Sequence, residues 1–161
     1  MFSTTALAAL LLSALPLSLA SPSPVHYNTS GIAIHLSNCC LNGTDLSQIL
    51  YYLNDTASYG HAPISVGVGT IENTKPNQFV HWAGSKVVAD FPDGFIITAN
   101  VTAGVHPVGS YAGPAANSAG QQFRCYKDDD RIMFDEEGES CRSVYVCPAY
   151  GPPGVSSSVG G

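Results

Sequence analysis

Apolar and polar residues alternate along much of the chain, and this alternation is typical of half-buried β-strands. In residues 31–36, for example, Ile32, Ile34 and Leu36 share one face of the predicted strand. Pro-Asp-Gly at residues 92–94 separates two such stretches and has the composition of a hairpin turn. The predicted strands are residues 31–36, 63–71, 86–91, 94–101, 122–126, 131–134 and 142–147, with a short apolar stretch at 79–82.

One stretch, residues 44–57, follows a helical period instead of alternating. Its apolar residues recur three and four positions apart, at Leu46, Ile49, Leu50 and Leu53. Thr44 precedes them and is a suitable N-cap. We therefore predict an α+β fold, in which one amphipathic helix packs on a mainly antiparallel sheet of five to seven strands, stabilised by disulfides.

The two ends of the chain differ in composition from its middle. Residues 1–20 combine a polar start, an apolar run of about 14 residues and small residues before a cleavage point, which predicts a secretory signal peptide rather than a membrane anchor. The composition of residues 21–30 predicts a mobile lead-in, and that of residues 103–120 predicts a loop. Residues 148–161 are rich in Gly, Pro and Ser, which predicts a disordered tail. A single domain is therefore expected over residues 31–147 of a secreted, extracellular chain without a membrane span.

The chain is acidic, with 12 Asp and Glu residues against 6 Lys and Arg, and a formal net charge of −6 at pH 7. Its basic residues are scattered and do not form the positive patch that a nucleic-acid backbone attracts. We therefore expect no strong nucleic-acid binding. The expected partner is an unknown extracellular or host protein or surface, and the oligomeric state stays open.

The cysteine count is odd, so in an oxidising compartment we expect two disulfides and one thiol left over. The five residues are Cys39, Cys40, Cys125, Cys141 and Cys147. Because adjacent cysteines rarely bridge each other, we expect either Cys39 or Cys40 to pair with Cys125 or Cys147. The spacing fits no common zinc pattern, so it predicts disulfides rather than a metal site.

Four Asn-X-Ser/Thr sequons are candidate N-glycosylation sites. They begin at Asn28, Asn42, Asn54 and Asn100. Together with the predicted signal peptide, they favour a secreted glycoprotein.

Candidates for catalysis are few, because the histidines match no metal or catalytic spacing and no nucleophile elbow is present. His81 and Trp82 are neighbours, and a titratable ring beside an aromatic ring is typical of a cleft. They are cleft candidates together with Arg131. The acidic residues of 128–130 and 135–139 are a candidate calcium site, although charged turns at a sheet edge explain them as well. We assign no catalytic residue, metal or cofactor.

Two local resemblances bear on function. Residues 123–134, FRCYKDDDRIMF, followed by residues 141–147, CRSVYVC, resemble the C-terminal half of small secreted cysteine-containing fungal proteins of unknown function, which are often candidate effectors. This resemblance implies a secreted, non-enzymatic role without a defined site. Residues 130–138, DRIMFDEEG, resemble a segment of microbial guanyl-specific ribonucleases. That resemblance implies that Arg131 neutralises the phosphate in the transition state.

The ribonuclease family also requires a base glutamate and an acid histidine. Residues 79–82, FVHW, contain no glutamate, and residues 145–147, YVC, contain no histidine. We therefore predict a secreted, disulfide-stabilised, non-enzymatic protein that acts by binding, effector-like or toxin-like. The alternatives are a ribonuclease-like hydrolase without the full catalytic set, and a cell-wall-associated structural protein, for which the Gly/Pro/Ser-rich tail is the indication.

Overall fold

The structure is a computed structural model that describes residues 31–64, 67–72 and 74–150. The predicted signal peptide, the lead-in and residues 151–161 of the predicted tail lie outside these described residues. Within the described residues, no helix is both long enough and apolar enough to cross a membrane.

Nine antiparallel β-strands and one short 3₁₀ helix make up the regular structure of the described residues. The strands are β1 (Ala33–Leu41), β2 (Thr44–Tyr52), β3 (Val68–Ile71), β4 (Lys86–Asp90), β5 (Ile96–Asn100), β6 (Tyr111–Asn117), β7 (Gln122–Lys127), β8 (Ile132–Glu136) and β9 (Glu139–Tyr150). The 3₁₀ helix, η1 (Asp55–Ser58), follows β2.

Eight of the strands close into an antiparallel barrel in the order β1-β2-β3-β4-β5-β6-β7-β9, because β9 pairs back onto β1. At 12 residues β9 is the longest strand, and its other edge is divided between two partners. Residues 139–142 pair with β8, and residues 145–150 pair with β7. β8 is therefore attached to the barrel through β9 and is not part of the ring.

The predicted α+β fold is wrong, because the residues assigned to a helix form β2 and then η1. Ile49 and Leu50 are both fully buried, in apolar clusters on opposite faces of β2. A strand that is buried on both faces has apolar residues at neighbouring positions, so its pattern imitates a helical period. The Asn42-Gly43 turn before β2 has positive φ at both residues, 49° and 81°, as a two-residue hairpin requires.

The predicted loop over residues 103–120 contains a further strand, β6. This stretch is rich in small residues because the strands approach closely: a side chain at Gly113 would collide with the backbone oxygen of Asn100, at the end of β5. Residues 148–150, predicted as tail, belong to β9. The hairpin at residues 92–94 is confirmed, and it joins β4 to β5.

Apolar side chains from all eight ring strands fill the interior of the barrel. The largest fully buried members of this core include Phe123, Ile34, Leu36, Ile49 and Ile97. Because side chains occupy the interior, the rims and the outer surface of the barrel are the places where a ligand can bind.

A second, smaller apolar cluster, which we call the outer layer, lies outside the barrel wall formed by β1, β2 and β9. Its buried members are Cys39, Leu50, Tyr52, Met133, Phe134 and Cys141, with Leu46, Ala57 and Val68 packed against them. β8 and η1 thus cover the outer face of this wall. In consequence, β1 is buried on both faces.

Two disulfides fix β9 to its neighbours. Cys39 on β1 bonds to Cys141, which lies directly opposite it on β9, and Cys125 on β7 bonds to Cys147 on β9. The expected pairing of Cys39 or Cys40 with Cys125 or Cys147 is therefore wrong, and Cys40 is the free thiol. Two disulfides are compatible with an extracellular or otherwise oxidising environment.

The Cys39–Cys141 disulfide joins residues 102 positions apart, whereas Cys125–Cys147 spans 22. Constraint of the unfolded chain is therefore worth about 5 kcal/mol for the first bond and about 3 kcal/mol for the second. We expect Cys39→Ala with Cys141→Ala to lower the free energy of unfolding in urea more than Cys125→Ala with Cys147→Ala. All four side chains are buried, so both double variants remove the same buried atoms and differ in the length of the loop that the bond closes. Equal losses of unfolding free energy, or losses in the reverse order, would contradict this account of the two disulfides.

Candidate functional site

A hydrogen-bonded group of polar side chains is buried between the barrel wall and η1. His35 on β1 places Nε2 2.7 Å from Oδ1 of Asp55 on η1 and Nδ1 2.8 Å from Oγ of Ser143 on β9. All three residues are fully buried. Since an unpaired polar group in such a place costs about 1–3 kcal/mol, these partners make the burial of His35 possible.

Ser58 and Arg131 extend this group toward the surface. The Ser58 hydroxyl donates to Oδ1 of Asp55 at 3.0 Å and accepts from Nη2 of Arg131 at 2.8 Å. Nη1 of Arg131 donates to the Ser58 carbonyl, also at 2.8 Å. The Arg131 guanidinium lies 4.0 Å from the centre of the Tyr59 ring, and its Nε lies 3.5 Å from Oδ2 of Asp128. Arg131 is therefore engaged in holding η1 against the barrel.

The residues Ser143, His35 and Asp55, together with Ser58 and Arg131, form what we call the buried clamp. Its serine, histidine and aspartate have the composition of a catalytic triad. Each of these three residues is 0 % exposed, however, so a substrate has no path to the serine oxygen. The clamp is a structural connection between β1, β9, η1 and the start of β8.

A mostly apolar pocket of about 580 Å³ opens at one rim of the barrel. The end of β2, η1 with the segment after it, and the β4–β5 and β6–β7 turns surround it. The described residues that line this rim pocket are Tyr51, Tyr52, Leu53, Asn54, Ala57, Ala62, Pro63, Ile64, Gly67, Asp93, Phe95, Asn117 and Ala119. Its volume, its apolar lining and its position at the mouth of a barrel are typical of small-molecule sites.

Aromatic rings form one side of the rim pocket. The ring centres of Tyr51 and Phe95 lie 5.4 Å apart in an edge-on arrangement, and Phe95 stacks on Phe91 at 4.3 Å. Asp93 is the one charged residue among the described residues of the lining. Burial, and secondly the Asp93 carboxylate, raise the pKa of Tyr51. Its hydroxyl therefore stays neutral at physiological pH.

The buried clamp positions one wall of the rim pocket. Ala57 belongs to η1, which the clamp holds, and lines the pocket. Tyr52 lines the pocket, meets the His35 ring edge-on at 5.6 Å and donates from its hydroxyl to the His61 carbonyl at 2.9 Å. Asn54 caps η1 by accepting a hydrogen bond from the Thr56 amide at 3.2 Å. The wall is therefore built by residues that are fixed in place.

The structure does not bring the three predicted cleft residues together. Trp82 is buried in the barrel core and donates from Nε1 to Oδ1 of Asn38 at 3.0 Å. Its neighbour His81 is exposed. Arg131 lies beyond the barrel wall, in the buried clamp.

A second pocket, of about 450 Å³, lies at the opposite end of the barrel, and it is more polar. Among its lining residues are Asn38, Cys40, Phe79, Asp130 and Arg142.

The candidate calcium ligands of 128–130 and 135–139 form no group of three convergent oxygen ligands within the described chain. The one convergent set there is Glu139 with Cys39 and Cys141, and those two sulfur atoms are bonded to each other.

Three of the four sequon asparagines lie within the described residues, and all three are exposed. Asn42 occupies the β1–β2 turn, Asn54 caps η1 at the edge of the rim pocket, and Asn100 ends β5. Asn28 lies outside the described residues. Exposure is what a glycosylation site requires, so these three asparagines stay candidates.

Comparisons with known proteins identify no family. No protein-family model, no curated protein and no solved structure matches this chain. The two local resemblances therefore stay predictions, and the function has to be inferred from the geometry.

Sequence reasoning missed both the buried clamp and the rim pocket. His35 did carry a signal, since it interrupts the apolar run from Ile32 to Leu36, and a polar residue there needs partners if both faces of the strand are covered. Its partners Asp55 and Ser143 lie 20 and 108 positions away. No local pattern connects residues at such separations.

Replacing Asp55 by alanine removes the group that binds both Nε2 of His35 and the Ser58 hydroxyl. Because polar groups are then left buried without a partner, we expect Asp55→Ala to lower the free energy of unfolding by about 3 kcal/mol or more. The matched control is Asp45→Ala, on the exposed end of β2, with an expected change within about 0.5 kcal/mol. Urea unfolding of both variants measures the difference. A loss below about 1 kcal/mol for Asp55→Ala would show that the clamp does not hold η1.

Proposed function

We propose that this chain is a secreted, disulfide-stabilised β-barrel protein that acts by binding rather than by catalysis, and that the rim pocket is its binding site. The observation that carries the proposal is the apolar pocket of about 580 Å³ at the mouth of a barrel whose interior is filled. Apolar surface that stays open to water on a folded protein is typical of a recognition site.

The distribution of polar groups supports binding over hydrolysis. Acid–base chemistry needs titratable side chains that reach the substrate, and the described lining of the rim pocket has no histidine and a single carboxylate, that of the exposed Asp93. Arg131, which the ribonuclease resemblance assigns to phosphate, is engaged with Ser58 and Tyr59 instead.

Secretion rests on independent features. Residues 1–20 have the composition of a signal peptide, both disulfides are compatible with an oxidising compartment, and three sequons begin at exposed asparagines. Together these features support an extracellular protein whose barrel is held by covalent bonds.

Binding at the rim pocket is testable with N-phenyl-1-naphthylamine, a neutral apolar dye that fluoresces weakly in water. We expect the native, deglycosylated protein to bind the dye with increased fluorescence. Ala119→Trp should abolish this increase, because the indole fills the pocket that Ala119 lines. The control is Val105→Trp, which adds the same ring at a fully exposed position in the β5–β6 loop, at the other end of the barrel. Equal dye binding by both variants would overturn the proposal for the rim pocket.

Secretion is testable by the intact mass of the protein recovered from culture medium. We expect a chain that starts at Ser21, loses mass on deglycosylation and, when denatured without reductant, reacts with iodoacetamide once, at Cys40. A retained leader, or three or more reactive thiols, would contradict the secreted, bridged protein.

A further inference from the structure

The charged side chain in the described lining of the rim pocket is an acid. Asp93 is its one charged lining residue within the described chain, and the Asp93 carboxylate acts on the neighbouring Tyr51 hydroxyl. The chain as a whole carries a net charge of −6. A cation that enters this pocket is attracted by its surroundings, whereas a carboxylate such as that of a fatty acid is repelled.

The pocket also offers aromatic surface. Tyr51 and Phe95 line it, and their rings are held by edge-on contacts and by the stacking of Phe95 on Phe91. Aromatic rings prefer offset or edge-on contacts with other rings, and their faces attract ammonium groups. A flat aromatic ligand with a positive charge therefore matches two independent features of the same pocket.

Asp93 lies in the same turn as one of the aromatic rings of the pocket. It follows Pro92 in the β4–β5 hairpin, and its Oδ1 accepts a hydrogen bond from the Phe95 amide at 3.4 Å. The carboxylate and the Phe95 ring therefore come from one short turn, and both line the pocket. A ligand that contacts the ring has the carboxylate within reach of its amine.

From this arrangement, the geometry points to a small aromatic amine as the class of ligand that the rim pocket selects. The inference rests on the proposed function and makes it specific. The ring of the ligand packs against Tyr51 and Phe95, and its ammonium group donates to the Asp93 carboxylate. Asp93 is exposed, so its ion pair adds a modest preference to an affinity that the apolar contacts supply.

The test uses three probes that share one ring system and differ in charge: tryptamine is a cation, indole is neutral and indole-3-acetate is an anion. Isothermal titration of the native, deglycosylated protein at about 50 mM salt should rank them in that order. Attraction of the cation and repulsion of the anion together give about a tenfold ratio of tryptamine to indole-3-acetate affinity.

Asp93→Asn should lower the ratio of tryptamine to indole-3-acetate affinity by most of this factor, because the amide keeps the Oδ1 acceptor and removes the charge. The matched control is Asp90→Asn. Asp90 is an exposed acid at the end of β4 and does not line the pocket, so this variant should keep most of the ratio of tryptamine to indole-3-acetate affinity. Thermal unfolding of both variants checks that they fold.

The outcomes separate this inference from the proposed function. If the dye binds and Ala119→Trp blocks it, but the three probes bind equally or indole-3-acetate binds best, the amine preference is overturned and the binding site stands. If the dye binds but none of the probes does, the aromatic amine class is overturned in the same way. If neither the dye nor any probe binds, the proposed function itself fails.

Discussion

Pairing of β1 with β9, which we call the seam, closes the barrel, and the outer layer and the buried clamp depend on it. The two strands come from opposite ends of the described chain and align over the whole length of β1, with one register shift. Contacts at such a sequence separation are entropically costly to form. The Cys39–Cys141 disulfide holds them in register and Cys125–Cys147 fixes the other side of β9, so the strand that completes the ring is covalently attached on both sides.

Closure of the seam also creates the outer layer. β8 precedes β9 and forms a hairpin with it. This hairpin places Met133 and Phe134 of β8 on the outer face of the barrel wall, where η1 packs beside them. When both faces of a strand are covered, its polar side chains cannot form hydrogen bonds to water and need partners within the protein. His35 is therefore paired with Asp55 and Ser143, and the same hydrogen bonds that satisfy it attach η1 to the barrel.

This attachment connects stability with the candidate binding site. The rim pocket lies where the fixed end of β2 and η1 meet the turns of two hairpins. Leu53 and Ile64 of its lining are exposed and the rings of Tyr51 and Phe95 are half-buried. Tyr52 and Asn54, which also line it, are held by hydrogen bonds and a ring contact. A binding site built this way loses little conformational entropy when a ligand enters, which favours affinity in a small pocket.

The sequence by itself determined features that depend on neighbouring residues: the alternating strands, the hairpin at residues 92–94, the expectation of two disulfides with one thiol left over, and the acidic charge. It failed where burial depends on distant contacts. Ile49 and Leu50 imitate a helix because β8 and η1 cover the outside of β2, and the small residues around Gly113 imitate a loop because Asn100 lies against them. Only the tertiary structure decided the cysteine partners, the His35–Asp55–Ser143 contacts and the rim pocket, because each joins side chains that no local period relates.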